Sequence, residues 1–278
     1  MNQLLVDAAW LAAHLDEVVV ADVRWSPTGG TAEAEGAYAA GHIPAAVFLD
    51  VDRDLAGSPF VDGPGRHPLP TPEAFARTLS VSGIGDDDDV VVYDDVQGSL
   101  AARLWWMLDA TERRAAVLDG GLQAWRWPIE TGPARRRPSV EAAVRPWPTD
   151  RVVEASDVTS ALADGAPVID ARAAERYRGD VEPIDPVAGH IPGARSAPWA
   201  GNLDAEGRFL APEVLRDRYA SLGVRNDGTT IGYCGSGVTT CHDLLAMRLA
   251  GLGDGRLYAG SWSGWVSDRS RPVAVGED

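Results

Sequence analysis

The sequence has few cysteines and no long apolar run. Its 278 residues include two cysteines, Cys234 and Cys241. Two are too few for a disulfide framework and are typical of a reducing compartment. No apolar run reaches the length of a membrane span, and Asp7 interrupts the first 15 residues, which lack a basic leader. We therefore expect an amphipathic helix at residues 1–15, not a signal peptide, and a cytoplasmic location.

Positive charge is also scarce. The chain contains 25 lysine and arginine residues against 41 aspartate and glutamate residues, so its net charge is -16. Such a surface repels phosphate groups, and we expect no nucleic-acid partner and no anionic membrane partner. The length is sufficient for two domains, each with a hydrophobic core of its own.

The chain contains two copies of one pattern. Residues 40–46 (AGHIPAA) recur as residues 188–194 (AGHIPGA), 148 positions later. Residues 120–125 match residues 260–265, which lie 140 positions later. The first copy is therefore eight residues longer than the second between these two motifs. A repeat of this size predicts two domains with the same fold.

Each copy alternates short β-branched strands with helical segments. In the second copy we predict strands near 167–170, 194–197, 229–233 and 256–258, and helices near 156–162, 212–221 and 240–250. This alternation predicts an α/β fold in which helices cover both faces of a parallel sheet. A stretch rich in proline and arginine separates the copies and predicts an N-terminal domain at 1–130, a linker at 131–150 and a C-terminal domain at 151–278.

A cysteine within a glycine loop follows one of the predicted strands. Cys234 is followed by Gly235, Ser236 and Gly237, and then by a helical segment. Both glycines permit the positive φ that a nest of inward-pointing N–H groups requires. Such a nest, at a helix N-terminus, stabilises a thiolate and the outer sulfur of a persulfide. A buried, inert cysteine is the alternative, but the glycine spacing favours Cys234 as a nucleophile.

Other conspicuous side chains are expected to be structural. Cys241 has helical spacing with Leu245 and Leu249, which indicates a buried face. His42 and His190 occupy the same place in both copies, although the first copy has Asp94 where the second has its cysteine. A role shared with a copy that lacks the thiol is a packing role.

Four motifs together resemble the tandem-domain rhodanese-type sulfurtransferases, the thiosulfate and 3-mercaptopyruvate sulfurtransferase family. They are Asp-Ala-Arg at 170–172, Gly-His-Ile-Pro-Gly-Ala at 189–194, Cys-Gly-Ser-Gly-Val-Thr at 234–239 and Gly-Ser-Trp-Ser-Gly-Trp at 260–265. The resemblance implies two rhodanese-like domains, with the N-terminal one catalytically inactive. It implies no metal and no organic cofactor.

The loop sequence resembles that of 3-mercaptopyruvate sulfurtransferases more than that of thiosulfate-specific rhodaneses. In the former, the loop serine joins a histidine and an aspartate in a proton relay. The matching residues here are Ser236, His67 and Asp52, with Asp50 or Asp54 as alternatives to Asp52. The histidine and the aspartates lie in the longer part of the first copy, which would reach the other domain. A loop histidine that binds backbone groups is the alternative for His67.

The resemblance also implies how an anionic donor is bound. Arg176 matches a family arginine that holds the donor's carboxylate or sulfonate. The loop residues expected to bind the donor are Gly235, Gly237, Val238 and Thr239. Ile184 replaces a second arginine that mercaptopyruvate enzymes usually carry.

The expected reaction transfers sulfane sulfur from thiosulfate or 3-mercaptopyruvate to Cys234, and then to cyanide or to a thiol such as a thioredoxin. One alternative is a sulfur carrier or interaction module without turnover of its own. Another is a cysteine phosphatase or arsenate reductase. Such phosphatases carry an arginine six positions after the cysteine, where this chain has Thr240.

Overall fold

The computed structural model describes residues 3–61, 63–133 and 137–277. They form two compact units. The first comprises Met1–Gly57, Leu69–Trp147 and Glu206–Arg208, and the second comprises Ser58–Pro68, Pro148–Ala205 and Phe209–Asp278. A short segment from the first half of the sequence therefore belongs to the second unit. Residues 134–136 of the predicted linker lie outside the described residues, and the linker's bounds stay a prediction.

The first unit is built on a parallel sheet. Its strands are β1 (Leu5–Val6), β2 (Val19–Arg24), β3 (Val47–Asp50), β4 (Asp89–Tyr93) and β5 (Arg114–Leu118). Its helices are α1 (Ala8–Ala13), α2 (Gly30–Ala40), α3 (Val51–Asp54), α4 (Pro72–Val81), α5 (Ala101–Ala110) and α6 (Gly121–Ala124). In the described part of the chain the strand order is β1-β5-β4-β2-β3, and all neighbouring pairs are parallel.

The second unit repeats this arrangement. Its strands are β6 (Val152–Val153), β7 (Val168–Asp170), β8 (Arg195–Ser196), β9 (Ile231–Tyr233) and β10 (Arg256–Tyr258). Its helices are α7 (Ala155–Ala163), α8 (Ala174–Arg178), α9 (Pro212–Ser221), α10 (Thr240–Leu249), α11 (Ser261–Trp265) and a 3-10 turn at Trp199–Asn202. The order β6-β10-β9-β7-β8 is parallel throughout the described strands.

The strand sequences explain why both sheets are covered by helices. Every residue of β2 is buried, and so is every residue of β7 and β9. Strands buried on both faces of a parallel sheet are apolar over most of their length, and the charged residues of β2 and β7, which are Asp22, Arg24 and Asp170, lie towards the carboxyl ends. The predicted fold class, two rhodanese-like domains with helices on both faces of a parallel sheet, is confirmed.

The expected helix over residues 1–15 is wrong at its start. Leu5 and Val6 form β1 and pair with Val117 and Leu118 of β5. The helix begins only after Asp7, whose carboxylate accepts the N–H of Trp10 at 2.7 Å as an N-cap. An edge strand of two residues is too short for its period to be visible in a sequence.

The repeated histidines pack in the same way in both units. His42 stacks on Tyr38 with a ring separation of 3.8 Å, and its Nδ1 lies 3.0 Å from the Tyr38 carbonyl. His190 stacks on Tyr177 at 3.7 Å, with its Nδ1 2.8 Å from the Tyr177 carbonyl. Both rings are buried, which agrees with a packing role.

The carboxylate of Asp94 closes the end of β4 in the first unit. It accepts four backbone N–H groups, from Val96 and Gly98 at Oδ1 and from Leu100 and Ala101 at Oδ2, at 2.7–2.9 Å. Gly98 has a φ of 91°, which turns its N–H inward. The loop between β4 and α5 is therefore an anion cradle, and its own aspartate fills it.

A buried carboxyl also lies within the core of the second unit. Asp243, on α10, accepts the Asn202 amide N–H at 2.6 Å and the Tyr219 hydroxyl at 3.1 Å, both at Oδ1. Its Oδ2 has no hydrogen-bond partner among the described residues. Burial raises the pKa of Asp243 to about 7, even though the Asn202 and Tyr219 hydrogen bonds and the charge of Arg218 favour the ionised form.

Replacing Asp94 by asparagine should destabilise the first unit by about 2 kcal/mol, because the new amide NH2 would face backbone N–H donors. We expect an earlier urea unfolding transition. Asp87→Asn, in the exposed turn before β4, is the matched control and should shift the transition by less than about 0.5 kcal/mol. Equal midpoints for the two variants would contradict this account of the cradle.

Asp243 should make stability depend on pH. Its pKa is raised from 3.8 to about 7 in the folded state. Its stabilising contribution is therefore complete below its unfolded-state pKa and is lost as the pH rises through its folded-state pKa. Relative to Asp243→Asn, the wild type should lose stability across this window. Urea unfolding of both proteins at several pH values measures the difference, and parallel pH profiles would show that the carboxyl does not titrate in this way.

Candidate functional site

The site is placed by the topology of the second sheet. The chain leaves β7 towards β8 on one side and returns to β9 on the other, so the strand order changes direction between β7 and β9. In open parallel sheets, ligands bind beyond the carboxyl ends of the strands at such a point. Cys234 follows β9 directly, and the motif at 170–172 begins with the last residue of β7.

Backbone contacts with α11 fix the position of Cys234. Its N–H donates to Ser261 Oγ at 3.1 Å, and its carbonyl accepts the Trp262 N–H at 2.9 Å. The Gly235 carbonyl accepts the Ser263 N–H at 3.0 Å. Ser261 has a φ of 51°, which is uncommon for a residue other than glycine, and it is fully buried. A conformation of this kind persists only where its surroundings enforce it.

Gly237 turns its N–H towards the sulfur. The Gly237 N–H donates to Cys234 Sγ at 3.2 Å, and Gly237 has a φ of 79°. A methyl group added there would lie 2.6 Å from the Ala259 carbonyl oxygen, so a side chain is excluded on two grounds. Like Gly98 in the first unit, Gly237 lies three residues before the first residue of its helix.

Gly235 corrects one expectation. Its φ is not in the left-handed region, so backbone conformation does not require glycine there. The space beside it is narrow: an added methyl group would lie 3.1 Å from Arg66 Nη2, so this side chain would have to shift, and 3.6 Å from both Arg176 Nη1 and Nη2, an ordinary contact distance. Gly235 therefore lets two guanidinium groups approach the loop.

Val238 and Thr239 lie where the loop enters α10. Val238 is buried, and its carbonyl accepts the Cys241 N–H at 3.1 Å. Thr239 is the N-cap residue of α10. Cys241 is fully buried, and its thiol donates to the Gly237 carbonyl at 3.5 Å, on the far side of the same loop. The helix N-terminus adds a positive dipole end to the cradle.

The structure brings Ser236 and His67 together. Ser236 Oγ and His67 Nδ1 are joined by a hydrogen bond of 2.7 Å, and both side chains are buried. Ser263 holds the histidine segment in place, because its Oγ accepts the Arg66 N–H at 3.1 Å. A methyl group at Gly65 would lie 2.6 Å from the Gly260 carbonyl oxygen, so the segment touches the backbone before α11.

The three aspartates proposed for the relay lie in α3 or next to it, in the first unit. Asp52 Oδ1 accepts the Trp25 indole N–H at 3.0 Å. Asp50 accepts the Thr31 hydroxyl at 2.9 Å, and its Oδ1 also accepts the Arg53 N–H at 2.9 Å. Asp54 is ion-paired with Arg53 at 2.8 Å. The part of Asp52 in a relay stays a prediction.

Arg176, on α8, is held by acidic side chains. It donates to Glu182 through Nη2 at 2.6 Å and through Nε at 3.2 Å, and Nη2 lies 3.3 Å from Asp185 Oδ2. Burial acts to raise the pKa of Glu182, but hydrogen bonds from Arg176 and from the Asp185 and Ile184 N–H groups hold it below its ordinary value. Burial raises the pKa of Asp185.

An alternating series of charges, the charge chain, runs from the end of β7 to the cysteine loop. Its members are, in order, Asp170, Arg172, Glu182, Arg176, Asp185 and Arg66. Arg172 pairs with Asp170 at 2.6 Å and with Glu182 at 3.3 Å. Asp185 bridges Arg176 and Arg66 with its two oxygens. A shorter series is found in the first unit, where Arg24 pairs with Asp22 and Asp95.

Sequence reasoning missed Arg66 as a site residue. Its guanidinium pairs with Asp185 and lies beside Gly235. The available signal was its position directly before His67, since a segment that brings the histidine to the loop also brings its neighbour. No group of three or more His, Cys, Asp and Glu side chains is arranged to hold a metal ion within residues 3–61, 63–133 and 137–277.

Comparison with known proteins matches both units. The family model for the rhodanese-like domain matches residues 7–126 and again residues 154–268. A probable 3-mercaptopyruvate sulfurtransferase from Pseudomonas aeruginosa is 44% identical over 98% of each chain. A putative thiosulfate sulfurtransferase from Mycobacterium tuberculosis is 39% identical over 99% of this chain and 98% of its own.

A solved structure agrees with the sequence relatives. The crystal structure of a 3-mercaptopyruvate sulfotransferase from Escherichia coli matches with a TM-score of 0.79 at 34% identity, over 94% of this chain and 100% of that chain. The family model and the relatives extend over nearly the whole chain. The protein therefore belongs to the rhodanese family and is a sulfurtransferase.

Proposed function

We propose that the protein takes sulfur from 3-mercaptopyruvate, carries it as a persulfide on Cys234 and passes it to a thiol acceptor. The observation that supports this donor is the 2.7 Å hydrogen bond between Ser236 Oγ and His67 Nδ1 in the cysteine loop. A donor whose leaving group is a carbon atom requires a proton at that carbon. Relatives from three organisms also carry the name of this activity.

In the first half-reaction the Cys234 thiolate attacks the donor's sulfur. A sulfur–sulfur bond forms, the carbon–sulfur bond of the donor breaks, and its electron pair leaves as the enolate of pyruvate. The Ser236–His67 pair takes the proton of the donor's thiol and returns it to the carbon. The products are pyruvate and a deprotonated persulfide on Cys234, so atoms and charge balance. Asp52 would orient His67 in this scheme.

The first unit offers an analogy for the outer sulfur of the persulfide. Asp94 Oδ1 accepts the Gly98 N–H, as Cys234 Sγ accepts the equivalent Gly237 N–H. Asp94 Oδ2 accepts two N–H groups at the start of α5. A persulfide has a second atom in the equivalent place, where the N–H groups of Thr239 and Thr240 at the start of α10 would stabilise its charge.

Donor binding uses the loop and its arginine. Arg176 holds the donor's carboxylate, and the backbone of the loop residues Gly235, Gly237, Val238 and Thr239 surrounds the transferred sulfur. In the second half-reaction an acceptor thiol attacks the outer sulfur, the sulfur–sulfur bond breaks and the Cys234 thiolate is restored. A thioredoxin is the acceptor we propose, and cyanide can replace it, forming thiocyanate.

We place this reaction in the cytoplasm. Cys234 and Cys241, both in the second unit, are reduced thiols and are not joined in a disulfide. A catalytic thiolate and a dithiol acceptor both depend on a reducing compartment. Among the described residues, none of the helices combines the length and the apolar composition needed to cross a bilayer.

The persulfide can be observed directly. Incubation of the protein with 3-mercaptopyruvate should add one sulfur atom to the peptide that contains Cys234, as measured by mass spectrometry. Cys234→Ser should abolish the adduct, and Cys241→Ala should retain it because Cys241 is a buried side chain with a packing role. Absence of the adduct from the wild type would contradict the proposed reaction and would favour a phosphatase or binding role.

The proton relay can be tested by comparing two donors. His67→Ala should lower kcat for 3-mercaptopyruvate by about a hundredfold or more, the usual contribution of general acid–base catalysis. Turnover of thiosulfate, whose sulfite product needs no proton, should change much less. Ser236→Ala should behave in the same way. Equal losses with both donors would mean that the pair only supports the loop.

A further inference from the structure

We propose that Arg66 binds the donor, forming with Arg176 a subsite of two guanidinium groups for the donor's carboxylate beside Cys234. This inference rests on the proposed function and names a residue of its binding site that the sequence motifs did not indicate. It follows from the convergence of the two side chains, from the way they are held, and from the charge that Arg66 contributes.

The two guanidinium groups converge on the same small space. The reference point is a methyl group added at Gly235, which would lie 3.1 Å from Arg66 Nη2 and 3.6 Å from Arg176 Nη1 and Nη2. Gly235 is the residue next to Cys234, and its carbonyl is fixed by the Ser263 N–H. A carboxylate beside this point can accept charge-assisted hydrogen bonds from both arginines.

Asp185 bridges the two arginines and leaves some of their N–H groups available. One carboxylate oxygen pairs with Arg66 Nη1, and the other lies 3.3 Å from Arg176 Nη2. The Asp185 side chain is 2% exposed, whereas Arg66 is 25% exposed and Arg176 is 17% exposed. Among the contacts of the described residues, the Arg66 guanidinium uses one N–H group on Asp185. The remaining N–H groups are available to a ligand.

Arg66 also reverses the sign of the charge at the end of the charge chain. The five members from Asp170 to Asp185 carry three negative and two positive charges, and the last of them is a carboxylate. An anionic donor and a thiolate beside that carboxylate would repel it. With Arg66 included, the six charges of the charge chain sum to zero, and the last of them is a cation. This matters in a protein whose net charge is -16.

The position of Arg66 couples donor binding to proton transfer. Its N–H donates to Ser263 Oγ, and the next residue is His67, whose ring binds Ser236. The same short segment therefore presents the group that binds the donor's carboxylate and the group that moves its proton. The hydrogen bond from the Arg66 N–H to Ser263 Oγ anchors this segment beside the loop.

Alkylation of Cys234 tests the subsite without relying on turnover. Iodoacetate carries a carboxylate and iodoacetamide of similar size does not. The rate of Cys234 modification by each reagent is measured by mass spectrometry of the peptide. Arg66→Met should lower the ratio of the iodoacetate rate to the iodoacetamide rate by about tenfold, the effect of removing a nearby charge. Arg66→Lys should recover part of this ratio.

Arg178→Met is the matched control, because Arg178 is on the same α8 helix as Arg176 but pairs with Asp180 and Glu277. It should leave the ratio unchanged. In steady-state assays, Arg66→Met should raise KM for 3-mercaptopyruvate by about tenfold or more and lower kcat much less. Circular dichroism and urea unfolding check that each variant is folded. If Arg66→Met does not fold, the same measurements on Arg66→Lys provide the test.

The outcomes separate the two proposals. Equal slowing by both reagents, or an unchanged ratio together with an unchanged KM, would overturn the role of Arg66. Another outcome is that the Arg66 variants change the ratio of alkylation rates while the wild type forms no persulfide with 3-mercaptopyruvate. That result would support the anion subsite and reject 3-mercaptopyruvate as the sulfur donor. A changed ratio with a raised KM supports both.

Discussion

The function that we propose for this protein depends on the backbone N–H groups of the loop at the end of a central parallel strand. Such groups must find acceptors, because a buried N–H without a partner is costly. The first unit supplies the carboxylate of Asp94, which accepts four of them. The second supplies Cys234, which accepts one through Sγ. The first loop is therefore satisfied by its own side chain, and we propose that the second loop binds the transferred sulfur with N–H groups in the equivalent places.

The second constraint is the supply of positive charge to that loop in an acidic protein. Burying an unpaired arginine is unfavourable, so each arginine is balanced by a carboxylate, and the charges alternate from β7 outwards. Arg172 and Glu182 are buried within this series, whereas Arg176 and Arg66 are partly exposed at its end. In the proposed subsite, the series lets two guanidinium groups face a donor while each of them is still paired with a carboxylate.

Much of the fold could be predicted from the sequence because its signals are local. Predicted strands at 167–170, 229–233 and 256–258 contain the observed ones, since apolar β-branched runs mark buried parallel strands. The strands β1 and β6 were missed because pairing across the sheet, and no local pattern, makes two residues a strand; the equally short β8 lies within the predicted strand at 194–197. Gly235 was misread for a related reason. Glycine is compatible with either sign of φ, and only the neighbouring guanidinium groups show that the space beside Gly235 is narrow.

The sequence by itself determined the repeat, the α/β class and the cysteine loop, and its motifs indicated the family and a partner for Ser236 in His67. These follow from order and spacing along the chain. Only the tertiary structure decided that Arg66 lies beside Gly235 and Arg176 with Asp185 between them. Residues 66 and 235 are far from each other and from the neighbouring pair 176 and 185 in sequence, and no local pattern encodes these distances. Their convergence arises when the segment Ser58–Pro68 packs within the second unit.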